Sequence, residues 1–437
     1  MLARAVYPLH GYGGIERHVF HLVTHLSDLG IEVELFVQDV PGDAPATGYA
    51  VERLLRNERI RLHTLRYDRT SPALRPNSIV GRQINYPVYS WREALAAAPL
   101  VRSGRIDVVH SQGLCALGWA LVRRLDPSLR RTPFVANPHG MEEYKGPDWR
   151  KRLAYAPFRA QYSWAHRQAD RAIATDACTA DDLPHLLGVA KRRVTVVPSA
   201  IDVRESLGAV DPEVGRALCN RFGLDDADPV LLTVSRLERN KGYHHLLAAL
   251  AALRDDLPPR WRLLMVGTGK ERANLEEQSR RLDLSAHVTF AGRLDDTELH
   301  SLYEQADLFV HPTLYEGSSL VTLEAMIHGL PVVATAAGGI PDKVFSGRNG
   351  LLIPPDDQGA LANALRLALL LRQHWPAWGA AGAAIVRRTF DWPVVARRTR
   401  EVYRELLERQ GPGIGDRGYG SSNVLDIFAS GLPTPDP

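Results

Sequence analysis

The chain has 437 residues, 45% apolar and 24% charged, which is ordinary for a globular protein and long enough for two or three domains. Its 53 Lys and Arg against 50 Asp and Glu leave a net charge of +3, which gives no argument for a nucleic-acid partner. The charge is uneven: residues 1–204 hold 28 basic against 20 acidic side chains (+8), and residues 205–437 hold 25 against 30 (−5). A basic front half suits an anionic acceptor or an acidic membrane surface, although scattered solvated arginines give the same sum. Cys115, Cys178 and Cys219 show no metal or redox spacing and fit a reducing cytoplasm. Arg4 and His10 interrupt any signal-peptide core, and apolar runs such as Leu367–Leu371 are far too short to span a bilayer.

In chain order, Ala3–Tyr7 reads as a weak first strand with Arg4 inside it. A loop with Gly11, Gly13 and Gly14 follows, then a helix over Ile15–Leu29 with Ile15, Val19, Leu22, Val23 and Leu26 on one face. Gly30 ends it and Ile31–Val37 is the next strand. This is a parallel β-loop-α-β crossover with a glycine loop at the strand's carboxyl end. Residues 38–105 are rich in arginine and show one short strand signal near Ile60–Leu65. Strands are then expected at Ile106–His110, Phe134–Ala136, Ala172–Thr175 and Val194–Val197.

The stretch Lys145–Arg171 mixes basic and aromatic residues, which fits an interfacial helix or a surface helix with its aromatics turned inward. The second arrangement is favoured. Asp211–Pro229 contains a short helical piece and an acidic, proline-bounded turn, and reads as a linker region. The alternation then restarts, with strands at Val230–Val234, Arg262–Val266, Val288–Phe290, Leu308–Val310, Val332–Ala334 and Leu351–Ile353. An amphipathic helix is expected over Asp391–Gln410, and a disordered tail over 411–437. The expectation is therefore an α/β protein of two doubly wound domains, 1–205 and 206–388, facing across a cleft. A C-terminal helix within 389–410 returns to the first domain. Ligands in such folds sit at the carboxyl ends of the strands.

Two loops at such ends carry the chemistry. Ser235–Gly242 places Arg236 and Lys241 after a strand, and two cations there suit a diphosphate. In Tyr315–Met326 two glutamates, Glu316 and Glu324, stand eight positions apart. Gly317, Ser318 and Ser319 make the turn, Ser319 is a natural N-cap, and a helix starts at Leu320. Its free amides and dipole suit a phosphate, while two solvated glutamates would be the plainer reading. His110 ends a strand, where a structural role is the commoner one.

Taken with Gly13-Gly14-Ile15-Glu16-Arg17-His18-Val19, Gly329-Leu330-Pro331-Val332-Val333 and Gly338-Gly339-Ile340-Pro341, these loops resemble the GT-B glycosyltransferases of family 4. The resemblance covers nearly all of residues 1–410. It implies transfer of a hexose-type sugar from a UDP- or GDP-sugar, with retention of configuration, to a hydroxyl of a glycan, lipid-linked or small-molecule acceptor. It implies no bound metal or other cofactor, no nucleic acid and a cytoplasmic place, with peripheral contact at an anionic inner-membrane face as a further expectation.

By the same resemblance, Arg236 and Lys241 hold the donor diphosphate, Glu316 bonds the sugar hydroxyls and Glu324 the ribose. The amides of Gly317–Leu320 add donors, Arg293 lies in the segment lining the base, His139 faces the sugar from the first domain, and Gly13 and Gly14 close on the substrates. The physics is consistent: sugar departure develops an oxocarbenium-like carbon and a new anion, which fixed cations and helix-start amides stabilise. One departure stands out. Ser318 and Ser319 follow Glu316-Gly317 where the family often has Phe-Gly, so an altered sugar pocket is expected. An epimerase or hydrolase on the same scaffold, and a non-catalytic nucleotide-sugar binder, are the alternatives. A nicotinamide oxidoreductase is disfavoured, because neither Gly11, Gly13 and Gly14 nor Gly267 and Gly269 have the required spacing.

Overall fold

The computed structural model describes residues 1–409 except 12, 43, 46, 69–80, 140, 142, 143 and 145–148. The expected tail 411–437, Lys145 and Gly140 lie outside the described residues.

Two parallel sheets form the frame. In the first, β1 (Val33–Gln38) pairs with β2 (Ile60–Leu65). A second group runs β3 (Val109–Gln112), β4 (Phe134–Asn137), β5 (Arg171–Ala174) and β6 (Val194–Val196). The chain start joins the groups: Leu2 bridges both Phe36 and Ser111. The first strand therefore lies earlier than Ala3–Tyr7. Its backbone bonds run from the Met1 carbonyl to the Arg4 carbonyl, and Leu2 donates its N–H to His110 at 2.8 Å. Arg4 is tolerated at the end of this run because its side chain reaches Tyr86 Oη at 2.7 Å and Glu16 Oε1 at 3.1 Å.

The second sheet contains β7 (Val230–Val234), β8 (Arg262–Val266), β9 (Val288–Gly292), β10 (Leu308–His311), β11 (Val332–Thr335) and β12 (Gly350–Ile353), in the spatial order β12-β11-β10-β7-β8-β9. Strands such as β1, β7 and β10 are buried along their whole length, as parallel strands covered on both faces must be. Helices pack on each face, and one apolar cluster lies on each side of each sheet.

One expectation about organisation is revised, and two favoured readings agree with the structure. Asp211–Pro229 is not a linker: Asp211 caps the helix Pro212–Phe222 through its carboxylate, Pro212 occupies the first turn, and the helix packs on Asp296–Tyr303. His110 lies inside β3 and 2% exposed, held by Tyr403 Oη at 2.6 Å, so its role is structural. Within Lys145–Arg171, Phe158 and Tyr162 of the helix Ala156–Arg167 are buried in the core. Among the described residues no helix is long and apolar enough to cross a membrane.

The C-terminal helix Trp392–Glu408 crosses back and lies against Gly14–Asp28. Trp392, Val395, Val402 and Leu406 join Val19, Leu22, Val23 and Leu26 in one cluster.

Candidate active site

The site is built on the carboxyl end of β10. His311 ends that strand fully buried, and the chain turns through Pro312–Ser319 into the helix Leu320–Ile327. Glu316 Oε2 accepts from Lys241 Nζ at 2.8 Å and from His311 Nε2 at 3.1 Å. Burial alone would push this carboxyl up. The His311 bond and the Lys241 ammonium outweigh it and hold the group down to about 2, so Glu316 is a carboxylate at neutral pH. His311 itself is pushed down by burial, which leaves Lys241 as the charged partner.

Lys241 reaches Glu316 because the chain after it turns against β10's exit. Gly242 has φ +68, and a Cβ there would lie 1.9 Å from the Pro312 carbonyl oxygen, so only glycine allows the approach. The loop at Gly338 closes on the other side: it has φ +53, and a Cβ would sit 2.0 Å from the Glu316 carbonyl oxygen. Lys343 is buried beneath and donates to the Ser319 carbonyl at 3.1 Å. Burial lowers its ammonium to about 8, with Asp176, Glu316 and Asp342 opposing.

Ser319 occupies the N-cap position, but its hydroxyl pairs with Thr322 Oγ1 at 2.8 Å and makes no cap bond. The first amides of Leu320–Ile327 are therefore not taken by a capping side chain. Glu324 lies one turn further, and its Oε2 accepts from Tyr303 Oη at 3.1 Å. Burial raises its carboxyl, with the Tyr303 hydroxyl and the Arg17 charge opposing.

From the first sheet, His139 stands in a left-handed turn (φ 55) after β4, an uncommon conformation that costs on the order of 1 kcal/mol. Its amide donates to Asn137 Oδ1 at 3.2 Å, and its Nε2 lies 2.6 Å from Gln112 Oε1. An oxygen acceptor there assigns the ring hydrogen to Nε2. Burial drives the His139 imidazole well below its ordinary range, with neighbouring His18 adding to it, so it stays neutral. Arg17, at the start of Gly14–Asp28, spans the two domains to Asp296, with Nη2 2.9 Å from Oδ2.

These groups enclose a cavity of about 550 Å³ between the sheets. The second-domain wall carries Glu316, Gly317, Ser318, Ser319, Leu320 and Glu324, and the first-domain wall carries Gly14, Arg17, His18 and His139. Lys241 is paired with Glu316, and Gly13 immediately precedes the lining helix. Arg236 and Arg293 are not brought in. The Arg236 side chain is 72% exposed and pairs with Glu238 at 3.1 Å, and Arg293 is exposed beyond β9. Sequence reasoning missed His311, Gln112 and the Arg17–Asp296 contact. His311 had a signal, a polar residue closing an apolar strand; Gln112 and Asp296 become visible only in three dimensions.

The chain matches the model of glycosyltransferase family 4 over residues 12–205 and that of glycosyl transferases group 1 over residues 218–383. It is 30% identical over 414 residues to a glycogen synthase of Mycobacterium tuberculosis, covering 91% of this chain and 92% of that one. It is also 30% identical over 426 residues to a D-inositol 3-phosphate glycosyltransferase of Thermobispora bispora, at 91% coverage of each. Among solved structures it resembles the sucrose-phosphate synthase of Thermosynechococcus elongatus (TM-score 0.71, 23% identity, 93% of this chain and 99% of that one). It also resembles Anabaena HepE solved with UDP-glucose (TM-score 0.65, 21% identity, 93% and 100%). The two matched segments fall on the two sheets in the order that the cleft requires. The chain thus belongs to the family 4 glycosyltransferases and has the GT-B fold.

Proposed function

We propose that the cavity binds a UDP-sugar. The enzyme transfers the hexose, with retention and without a catalytic metal, to a hydroxyl of a glycan, lipid-linked or small-molecule acceptor. The observation that carries this reading is Glu316: a carboxylate kept ionised in a closed wall by Lys241 and His311, beside helix amides that no side chain caps. Ionised groups tuned by specific partners inside a cleft cluster at functional sites. UDP is favoured over GDP because the structural neighbour HepE was solved with UDP and with UDP-glucose.

In this reading Glu324 accepts from the ribose hydroxyls, and Glu316 Oε1 and the Gly317 region accept and donate to the sugar. The diphosphate lies at the start of Leu320–Ile327 near Lys241. The bond from the anomeric carbon to the diphosphate oxygen breaks, and the developing negative charge meets the helix amides and the ammonium where it forms. The acceptor oxygen adds on the same face. Its proton passes to the departing diphosphate, so no protein base is required. Neutral His139, fixed by Gln112, positions the sugar. Arg236 joins the diphosphate only by swinging from Glu238 when the donor binds.

A thermal-shift series with UDP-, GDP- and ADP-sugars tests the donor. A ligand at 100 times its dissociation constant adds about 2.7 kcal/mol, a shift that is easily read. Stabilisation by a GDP-sugar alone would replace the UDP assignment. Incubation with donor alone tests the second reading: isomerised sugar or rapid hydrolysis without acceptor would mean an epimerase or hydrolase.

A further inference from the structure

Three metal-ligating side chains that the transfer chemistry does not use converge on the first-domain side of the cavity: His21, His25 and Asp202. His21 and His25 lie one turn apart on Gly14–Asp28, so their rings leave the same helix face. Asp202 comes from the crossover that leaves the first sheet. Its Oδ1 caps the helix Val203–Gly208, and its Oδ2 faces His25 Nε2 at 3.3 Å. One donor atom from each of the three lies within 4.8 Å of the others.

The hydrogen bonds assign the donor atoms. His25 Nδ1 is 2.8 Å from the His21 carbonyl oxygen and so carries hydrogen. On a neutral ring that leaves the Nε2 lone pair pointing at a carboxylate oxygen, and two lone pairs 3.3 Å apart need a cation between them. The cation is either a proton on Nε2 or a metal ion. An imidazole whose far N–H is given to a backbone carbonyl is the usual supporting arrangement of a metal-bound histidine. His21 Nδ1 has no hydrogen-bond partner among the described residues, and His21 Nε2 lies 3.7 Å from Glu205 Oε2.

Zinc bonds of ~2.0–2.1 Å in a tetrahedron give ligand-to-ligand edges of ~3.3–3.4 Å. The His25–Asp202 edge already has that length, and the His21 donor atom lies within 4.8 Å of both. Trp392 covers the site, with ring centroids 5.5 Å from His21 and 6.1 Å from His25. His21, Asp202 and Glu205 line the cavity, which supplies an entry path.

We propose that His21, His25 and Asp202 bind one divalent transition-metal ion of the zinc type, with Glu205 or solvent in the fourth position. Two imidazoles and a carboxylate select zinc, cobalt or nickel over magnesium and calcium. The ion is structural. It ties the helix that carries Gly14 and Arg17 to the crossover between the domains.

The test uses the full chain, stripped with a chelator and titrated with cobalt(II), then with zinc. The expected result is a visible absorption band of tetrahedral cobalt that saturates at one equivalent, is bleached by one equivalent of zinc, and is unaffected by magnesium. Zinc also raises Tm. His25→Gln and Asp202→Asn, the latter keeping an oxygen for the cap, should each weaken cobalt binding at least tenfold. No cobalt band in the wild-type protein overturns the proposal and leaves a proton on His25 Nε2 as the bridging cation. An equal zinc-induced Tm shift in wild type and both variants overturns it as well. The wild-type spectrum decides even if a variant fails to fold.

Discussion

Lys241→Met probes the joint on which the site rests. The Lys241 and Glu316 side chains are only 11% and 16% exposed, so their pair is largely removed from water. Methionine keeps most of the stem volume and deletes the charge, leaving Glu316 with the His311 and Gly317 contacts. Breaking one end of a buried pair costs 3–5 kcal/mol, and the residual exposure here puts the loss near the lower bound, about 3 kcal/mol. Domains of this size lose about 2–4 °C per kcal/mol, so Tm should fall by about 6–12 °C while the protein still folds. Glu316→Gln removes the other partner, and Lys241→Met/Glu316→Gln removes both. Chemical unfolding of the four proteins at pH 7 closes a double-mutant cycle, for which a coupling of about 2 kcal/mol is expected. Coupling below about 0.5 kcal/mol would show that the 2.8 Å contact carries no net energy, and the reasoning would fail.

The pH dependence of the same group has a definite sign. Glu316 is depressed from 4.5 to about 2, so its contribution is complete above its unfolded value and is lost as pH falls toward 2. That depression corresponds to roughly 3 kcal/mol, and the stability gap between wild type and Glu316→Gln should shrink by that order between pH 6 and pH 2.5; a gap independent of pH refutes the assignment. Glu324→Gln should weaken UDP binding about 10- to 100-fold by calorimetry, since charge-assisted bonds to ribose hydroxyls are worth about 1.5–3 kcal/mol; unchanged affinity would move the ribose elsewhere. Arg17→Ala should shift Tm by no more than about 2 °C, because the Arg17 and Asp296 side chains are 36% and 62% exposed, yet raise KM by weakening domain closure; a large Tm loss would contradict the exposed-pair reading. Gly242→Ala should lower Tm by more than 5 °C and reduce turnover, because a Cβ would meet the Pro312 carbonyl oxygen at 1.9 Å; a wild-type Tm would mean that the loop relaxes freely.

Much of this was legible in the residues. Parallel strands buried on both faces are near-continuous apolar runs, and they stand out in Val230–Val234 and Leu308–Val310. Glu316 and Lys241 could be assigned to one cleft because each follows a strand of the same sheet, and both strands, β7 and β10, proved to be neighbours. Arg236 lies outside the cavity lining for a reason of side-chain direction. A loop position fixes where a Cα lies, and Glu238 two residues on captured the guanidinium. The first strand slipped toward the terminus because pairing depends on the backbone of Met1–Arg4, while the apolar count pointed to Ala3–Tyr7. Asp211–Pro229 reads as a linker holding a short helical piece, whereas that piece is an 11-residue helix packed on the second domain, whose start the acidic N-cap followed by proline marks. Arg17–Asp296 joins residues 279 apart, and no local pattern records such a pair.

The central claim is that a nucleotide sugar lies between Glu324 and Glu316 with its diphosphate at the start of Leu320–Ile327. A crystal structure with UDP bound tests it most directly. The account predicts ribose hydroxyls in hydrogen-bond contact with the Glu324 carboxylate and phosphate oxygens on the Gly317–Leu320 amides and Lys241. A nucleotide bound outside this cavity, or one bound in it with neither glutamate in contact, would contradict it.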